Sequence, residues 1–163
     1  MVDTSALSAN EVIDLLGLSP LAGEGGFFRE TWKMPGIDSG PDPHGTAILY
    51  LITPDSWSAL HRLKYDEVFH FYLGDPCRMV LAHEPDRFES VVLGQDISAG
   101  QRVQQVVPAR WWQGTQLARG GRWALLGTTM APGFHPDIFE LASPGALEAF
   151  TPDVRQHLDA YLP

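Results

Sequence analysis

Hydrophobic and polar positions change period along this chain, and the changes mark its elements. Between Ser8 and Leu16 the apolar residues Val12, Leu15 and Leu16 fall on one helical stripe. Ser8 and Glu11 have capping-box spacing in front of them, and Gly17 can end the helix in a left-handed cap. The glycine-rich stretch Gly23-Glu24-Gly25-Gly26 then leads into FFRETWKM, which reads as a strand. Because these glycines precede a strand and not a helix, they do not form a nucleotide-phosphate loop. The segment Pro35 to Gly45 is a polar loop in which His44 is expected to be solvated.

From Thr46 onward short runs alternate apolar with polar residues: AILYLI, WSALHRL, EVFHFYL, RMVLAHE, ESVVLG, RVQQVVP, WWQGTQL and WALLGTTM. Runs of this length divided by turn residues predict an all-β protein, an antiparallel sandwich or barrel and not alternating strand and helix. Gly74-Asp75-Pro76, Glu84-Pro85-Asp86 and Arg119-Gly120-Gly121 are each expected to close a hairpin. After Met130 the text becomes a loop with a short strand exit. The end, TPDVRQHLDAYLP, predicts a helix capped by Thr151 with Pro152 in its first turn and Val154, Leu158, Tyr161 and Leu162 on one face; His157 falls off that stripe.

Composition narrows the picture. A chain of 163 residues with 44% apolar and 19% charged residues is a globular balance, read as one domain over 1–163. It has no apolar run of membrane-spanning length, and the start MVDTSALSANEV lacks the basic region and apolar core of a signal peptide. The single cysteine, Cys77, excludes an internal disulfide or a thiolate-rich metal site and fits a reducing compartment, so the expected location is the cytoplasm. No arginine or histidine except Arg78 adjoins it, and it is read as non-catalytic. A net charge of -9 with scattered Lys and Arg argues against nucleic acid as a partner.

The candidate chemistry is concentrated in SALHRLKYDEVFHFYLG, Ser58 to Gly74, which carries His61, Glu67, His70 and Tyr72. Strand alternation divides them: Glu67, Phe69 and Phe71 share one face, while Val68, His70 and Tyr72 take the other unless a bulge shifts the register. Arg29, between Phe28 and Trp32, is a candidate clamp for a carboxylate or phosphate. Tyr50 is a candidate acid or a core tyrosine with a wet hydroxyl.

These residues resemble a known family. His61-x-Leu63-x3-Glu67-x6-Gly74 is similar to the first cupin motif, with Leu63 where a second histidine is usual. Gly100-x7-Pro108-x4-Gln113 is similar to the second, with Gln113 where a histidine is usual. EGGFFRETW, HRLKYDEVFHFYLGDP, VVPARWWQ and MAPGFHPDIFEL together resemble the DUF985, or cupin-5, branch over nearly the whole chain. The resemblance implies a double-stranded β-helix (a jelly-roll barrel), a homodimer, and a pocket at the barrel centre for a small-molecule ligand. There His61, Glu67 and Gln113 would form either a three-ligand site for a divalent transition metal (Zn, Fe, Mn or Ni) or a hydrogen-bonded polar floor.

Without metal the same groups suit proton transfer, as in an isomerase or epimerase, with His61 as base, Glu67 as its orienter or partner acid, and Tyr72 or Tyr50 as a further acid. Trp111 shares Gln113's face by alternation, and with Phe69, Phe71 and His70 it completes the candidate ligand-binding set. Two function classes stand: an acid-base or metal-assisted enzyme on a small polar molecule, and a cup that binds a ligand without turning it over.

Overall fold

The computed structural model describes residues 6–36 and 43–163, so most of the polar loop expected at Pro35–Gly45 lies outside the described residues. In chain order the elements are α1 (Ala9–Leu16), β1 (Ser19–Pro20), β2 (Phe27–Met34), β3 (Gly45–Ile52), β4 (Ser58–Leu63), β5 (Glu67–Gly74), β6 (Cys77–His83), β7 (Arg87–Leu93), β8 (Gln104–Val107), β9 (Trp112–Leu117), β10 (Ala124–Met130), β11 (Phe139–Leu141) and α2 (Pro152–Leu158). The described strands form a six-stranded sheet ordered β1-β2-β3-β10-β5-β8 and a five-stranded sheet ordered β11-β4-β9-β6-β7. Every ladder within them is antiparallel. This is the antiparallel double-sheet architecture expected from the alternation, and the jelly-roll barrel that the resemblance implies.

Of the three expected hairpins only Glu84-Pro85-Asp86 is one, joining β6 and β7 in the register His83↔Arg87. Gly74-Asp75-Pro76 carries the chain from β5 in the six-stranded sheet to β6 in the other, and Arg119-Gly120-Gly121 returns it from β9 to β10. The turn residues mark a reversal in both cases. They do not encode whether the next strand pairs with the last or faces it across the core, because that choice rests on partners distant in sequence.

Alternation places the inner faces against each other. Ile52, Phe69, Phe71 and Leu126 from the six-stranded sheet meet Cys77, Met79, Leu81 and Leu93 from the five-stranded sheet in the central core. Each outer face then receives a helix. Val12 of α1 packs on Leu51 and Leu125. Val154 and Leu158 of α2 pack with Tyr161 on Leu60, Val80 and Trp112. Full burial of a side chain such as Leu158 stabilises by about 1.5–3 kcal/mol, enough to fix these short helices that would be marginal alone. The capping box forms as expected, Glu11 N–H donating to Ser8 Oγ at 3.3 Å and Ser8 N–H to Glu11 Oε2 at 2.8 Å. Thr151 occupies the N-cap position of α2 without a side-chain capping bond. His157, off the stripe, stacks on Phe88 at 4.7 Å.

The loop between β1 and β2 is folded onto the mouth of the barrel. Gly25 and Gly26 sit at φ 95° and 71°, and a Cβ on Gly26 would come within 2.6 Å of the Tyr50 ring. The loop is held by Gly26 N–H donating to Ser56 Oγ at 2.8 Å and by Tyr50 O–H donating to the Gly25 carbonyl at 2.9 Å. Glycine is required there both for backbone conformation and for space. Gly26→Ala is expected to lower the unfolding free energy by at least about 1–2 kcal/mol, read by urea denaturation; an unchanged midpoint would show that the loop does not lie on Tyr50 as described.

Candidate functional site

Inward-facing residues at one end of the barrel enclose a cavity of about 320 Å³. Its walls are largely apolar, with Phe28, Ile48, Leu63, Met130 and Phe139 among them, and its polar groups are few: Glu24, Glu30, Thr46, Tyr50, His61, Glu67 and Thr128. An apolar cup with a small number of convergent polar groups is the usual form of a small-molecule site.

His61 is 2% exposed and comes from β4. The β4–β9 ladder is irregular between Ser58 and His61, and within that irregularity His61 Nδ1 lies 2.8 Å from the Ala59 carbonyl. A carbonyl only accepts, so Nδ1 carries the hydrogen, and a neutral ring presents Nε2 as a lone pair. Phe139 stacks on the ring at 5.1 Å between centroids. The Ala59 backbone therefore orients His61, a role the sequence had offered to Glu67.

Glu67 is 7% exposed on β5, and Gln113, 1% exposed on β9, donates Nε2–H to its Oε2 at 2.7 Å. This bond crosses from one sheet to the other. Gln113 also stands opposite His61 in the β4–β9 register, so the three residues of the two motifs are gathered at one place. Burial pushes the Glu67 carboxyl above its ordinary range. The neighbouring His61 charge and the hydrogen bonds from Gln113 and Thr128 act against that shift, and the charge of Glu24 adds to it. Tyr50 is raised well above its ordinary value, by burial first and then by Glu24, and stays a phenol.

Glu24 is the residue that strand alternation passed over. Lifted by the glycine loop, it lines the cavity, accepts from Ser58 Oγ at 2.9 Å and lies 3.9 Å from His61 Nδ1. The signal available in the sequence was an acid set among glycines that need positive φ. Phe139, in the exit after Met130, was likewise missed.

Other candidates lie elsewhere. Tyr72 is 42% exposed on the outer face, with its ring parallel to that of His70 at 6.2 Å, and His70 contacts Thr129 and Gln104 there. A register shift between Leu125 and Leu126 falls at Tyr72, beyond the Glu67–His70 segment, so alternation separates those two as expected. Phe69 and Phe71 do face inward, but they are buried in the central core and do not line the cavity. Trp111 packs beside that core with His83 at 5.6 Å, also off the cavity. Arg29 is exposed, its neighbours Phe28 and Glu30 being the ones that turn inward, so no anion clamp forms from it. Cys77 is buried, and burial pushes its thiol above the ordinary range, consistent with a core residue.

An antiparallel double-sheet barrel with its cavity between the sheets and paired motifs on β4–β5 and β8–β9 defines a cupin. The chain belongs to the cupin superfamily family DUF985, whose model matches residues 10–142. It is similar to a solved protein of Shewanella oneidensis at 28% identity, covering 96% of this chain and 98% of that one with a TM-score of 0.87. It is also similar to a hypothetical protein of Leishmania major at 25% identity, covering 95% and 97% with a TM-score of 0.81. A dTDP sugar isomerase from Desulfovibrio desulfuricans, at 19% identity, 81% and 90% coverage and a TM-score of 0.52, shares the fold. No curated protein matches the sequence. No helix among the described residues is long and apolar enough to cross a membrane.

Many cupin barrels are built to hold a metal, and the donors present here can be tested against one. Leu63 lines the cavity in place of the second imidazole. Gln113 spends its amide N–H on Glu67 Oε2, one of the two oxygens that carboxyl could offer a metal. Among the described residues no three His, Cys, Asp or Glu side chains are grouped closely enough to hold a metal ion. One imidazole, one carboxyl already engaged by an amide N–H and one neutral amide oxygen do not fit a tightly held transition metal.

The raised Glu67 carboxyl has a thermodynamic sign. The native state holds this proton to higher pH than the unfolded chain, so its stabilising contribution is complete below the ordinary value of 4.5 and is lost as pH rises through the raised one. Glu67→Gln, which cannot ionise, is expected to gain stability relative to the parent between pH 4 and pH 8. Thermal unfolding across that range checks it, and a variant that loses ground with rising pH would mean that Glu67 is ionised in the fold.

Proposed function

We propose that this cupin is an acid-base isomerase or epimerase of a small organic molecule held in the barrel. The observation that carries the reading is the commitment of His61 Nδ1 to the Ala59 carbonyl, which leaves Nε2 as the basic nitrogen of a ring that lines the cavity. Glu67, biased toward its protonated form in the same cavity, is the complementary acid. An imidazole oriented by the backbone beside a carboxyl held above its ordinary range is an arrangement suited to acid-base chemistry.

In this reading His61 Nε2 removes a proton from a carbon next to a carbonyl while Glu67 gives its proton to the carbonyl oxygen. For isomerisation a proton then returns from His61 to the neighbouring carbon, and Glu67 takes a proton from the hydroxyl on the carbon first deprotonated, which becomes the new carbonyl. For epimerisation the intermediate turns its other face to His61, the same carbon is reprotonated there, and Glu67 takes back the proton it gave. Both side chains end as they began, and no bond other than C–H and O–H is made or broken at the protein. Tyr50 keeps the loop in place through Gly25 and is not a proton donor here, its hydroxyl being already committed.

A second reading, a cup that binds without turnover, is favoured by one observation: Glu67 is engaged by Gln113, which ties it into the framework between the sheets. Deuterium separates the two. Incubation of the protein with α-hydroxy and α-amino carbonyl compounds in D₂O is expected to place solvent deuterium on carbon, and His61→Ala is expected to reduce that exchange by about 10²–10⁴-fold with the fold retained by circular dichroism. Bound compounds recovered without deuterium would leave the binding reading.

We also propose that the barrel pairs with a second copy of itself through the outer face of the six-stranded sheet. In that face Trp32, Ala47, Thr129, Val68 and Val106 are aligned across neighbouring strands, and Trp32 and Val106 are 49% and 47% exposed. The row carries no ionisable side chain, so two copies of a chain of net charge -9 can meet along it without direct like-charge contact. Light scattering is expected to give a dimer for the parent chain and a monomer for Val106→Asp; a monomeric parent would remove the proposal.

A further inference from the structure

The cavity is unbalanced in charge and in hydrogen bonding. Apart from the phenol Tyr50, its ionisable lining residues are Glu24, Glu30, His61 and Glu67, with no lysine or arginine among the described residues that line it. Glu24 and Glu30 belong to one short segment, the glycine loop and the start of β2, and so furnish negative charge along one wall. His61 lines the cavity with Nδ1 already used by the Ala59 carbonyl, so the remaining ring nitrogen, Nε2, is an acceptor in the neutral ring. The site therefore holds acceptors in excess of donors, and a buried acceptor without a partner costs about 1–3 kcal/mol. A ligand that satisfies the site must bring N–H or O–H groups, and a negatively charged ligand would meet two carboxylates with nothing to neutralise it.

We propose that the ligand of this cavity is an organic cation: a primary or secondary amine carried on a compact apolar body. An ammonium supplies donors and no acceptor. Its charge is met by Glu24 and Glu30, its N–H groups find acceptors there and at His61, and the aromatic rings of Phe28, Phe134 and Phe139 offer faces that attract a cation. The apolar part of the ligand fills the space bounded by Ile48, Leu63 and Met130. Leu63 has a positive reason to be where another cupin carries histidine, since it extends the apolar wall against which such a body rests. The proposal rests on the reading of this cavity as the functional site and names the class of molecule it takes. Nucleotide sugars, phosphates and simple carboxylates are excluded by the same charge argument.

Three probes of one shape test it by calorimetry at neutral pH: phenethylamine, 2-phenylethanol and phenylacetate. The amine is expected to bind at least about tenfold more tightly than the alcohol, an energy difference of about 1.4 kcal/mol, and the carboxylate is expected not to bind. The pair Glu24→Gln and Glu30→Gln together is expected to weaken the amine about tenfold and to leave the alcohol unchanged. Carboxylate binding equal to or tighter than that of the amine, no amine binding, or an amine affinity indifferent to the two glutamine substitutions would each overturn the proposal. Its failure is separable from failure of the acid-base reading. Amine binding without deuterium exchange sinks the catalysis and keeps the cation site, whereas exchange into neutral or anionic compounds with no preference for amines does the reverse.

Discussion

One buried hydrogen bond ties this barrel together at its functional end. Gln113 on one sheet donates to Glu67 on the other at 2.7 Å, both side chains shielded from water. Sheet packing alone is non-directional and tolerates small slides of one face over the other. A hydrogen bond to a buried carboxyl is directional, and losing either partner would leave the other desolvated and unmatched. The bond therefore holds β5 and β9 at one relative position, and with them Glu67, which lines the pocket. Because Gln113 is also the register partner of His61, the same constraint sets the spacing between the basic nitrogen and the acid.

What the two motifs of a cupin bring together here is one imidazole, one carboxyl and one amide. In a metal-holding arrangement imidazoles and a carboxylate turn toward a common point. In this chain Leu63 stands in the apolar wall where a second imidazole is usual, and Gln113 has turned its amide N–H toward Glu67. Together the two changes leave one imidazole, and one carboxyl held above its ordinary range by burial, at the cavity.

The glycine loop contributes the asymmetry that the motifs lack. By lying on Tyr50 it brings Glu24 over the barrel mouth, within 3.9 Å of His61. The acid is held by Ser58 from β4, so the loop and the motif strand are coupled at the point where a ligand would enter. Arg29, which follows the loop, seemed suited to hold an anion. The alternation of β2 sends it outward and brings Phe28 and Glu30 in, reversing the sign of the pocket.

Local periodicity determined a good deal by itself. The helix behind Ser8, the strands after Thr46 and the separation of Glu67 from His70 and Tyr72 all follow from side-chain directions that repeat every 3.6 or every two residues, a property of the chain segment alone. The paired motifs likewise singled out His61, Glu67 and Gln113. Tertiary structure decided the rest. Whether a turn closes a hairpin or crosses between sheets, as at Gly74 and Arg119, depends on strands far away in sequence. Whether an inward aromatic is core, like Phe69 and Phe71, or cavity wall, like Phe28 and Phe139, depends on its height along the barrel. The arrival of Glu24 at His61 depends on a loop whose path is set by contact with Tyr50. Alternation reports which face a residue takes; only the closed barrel reports what stands opposite that face.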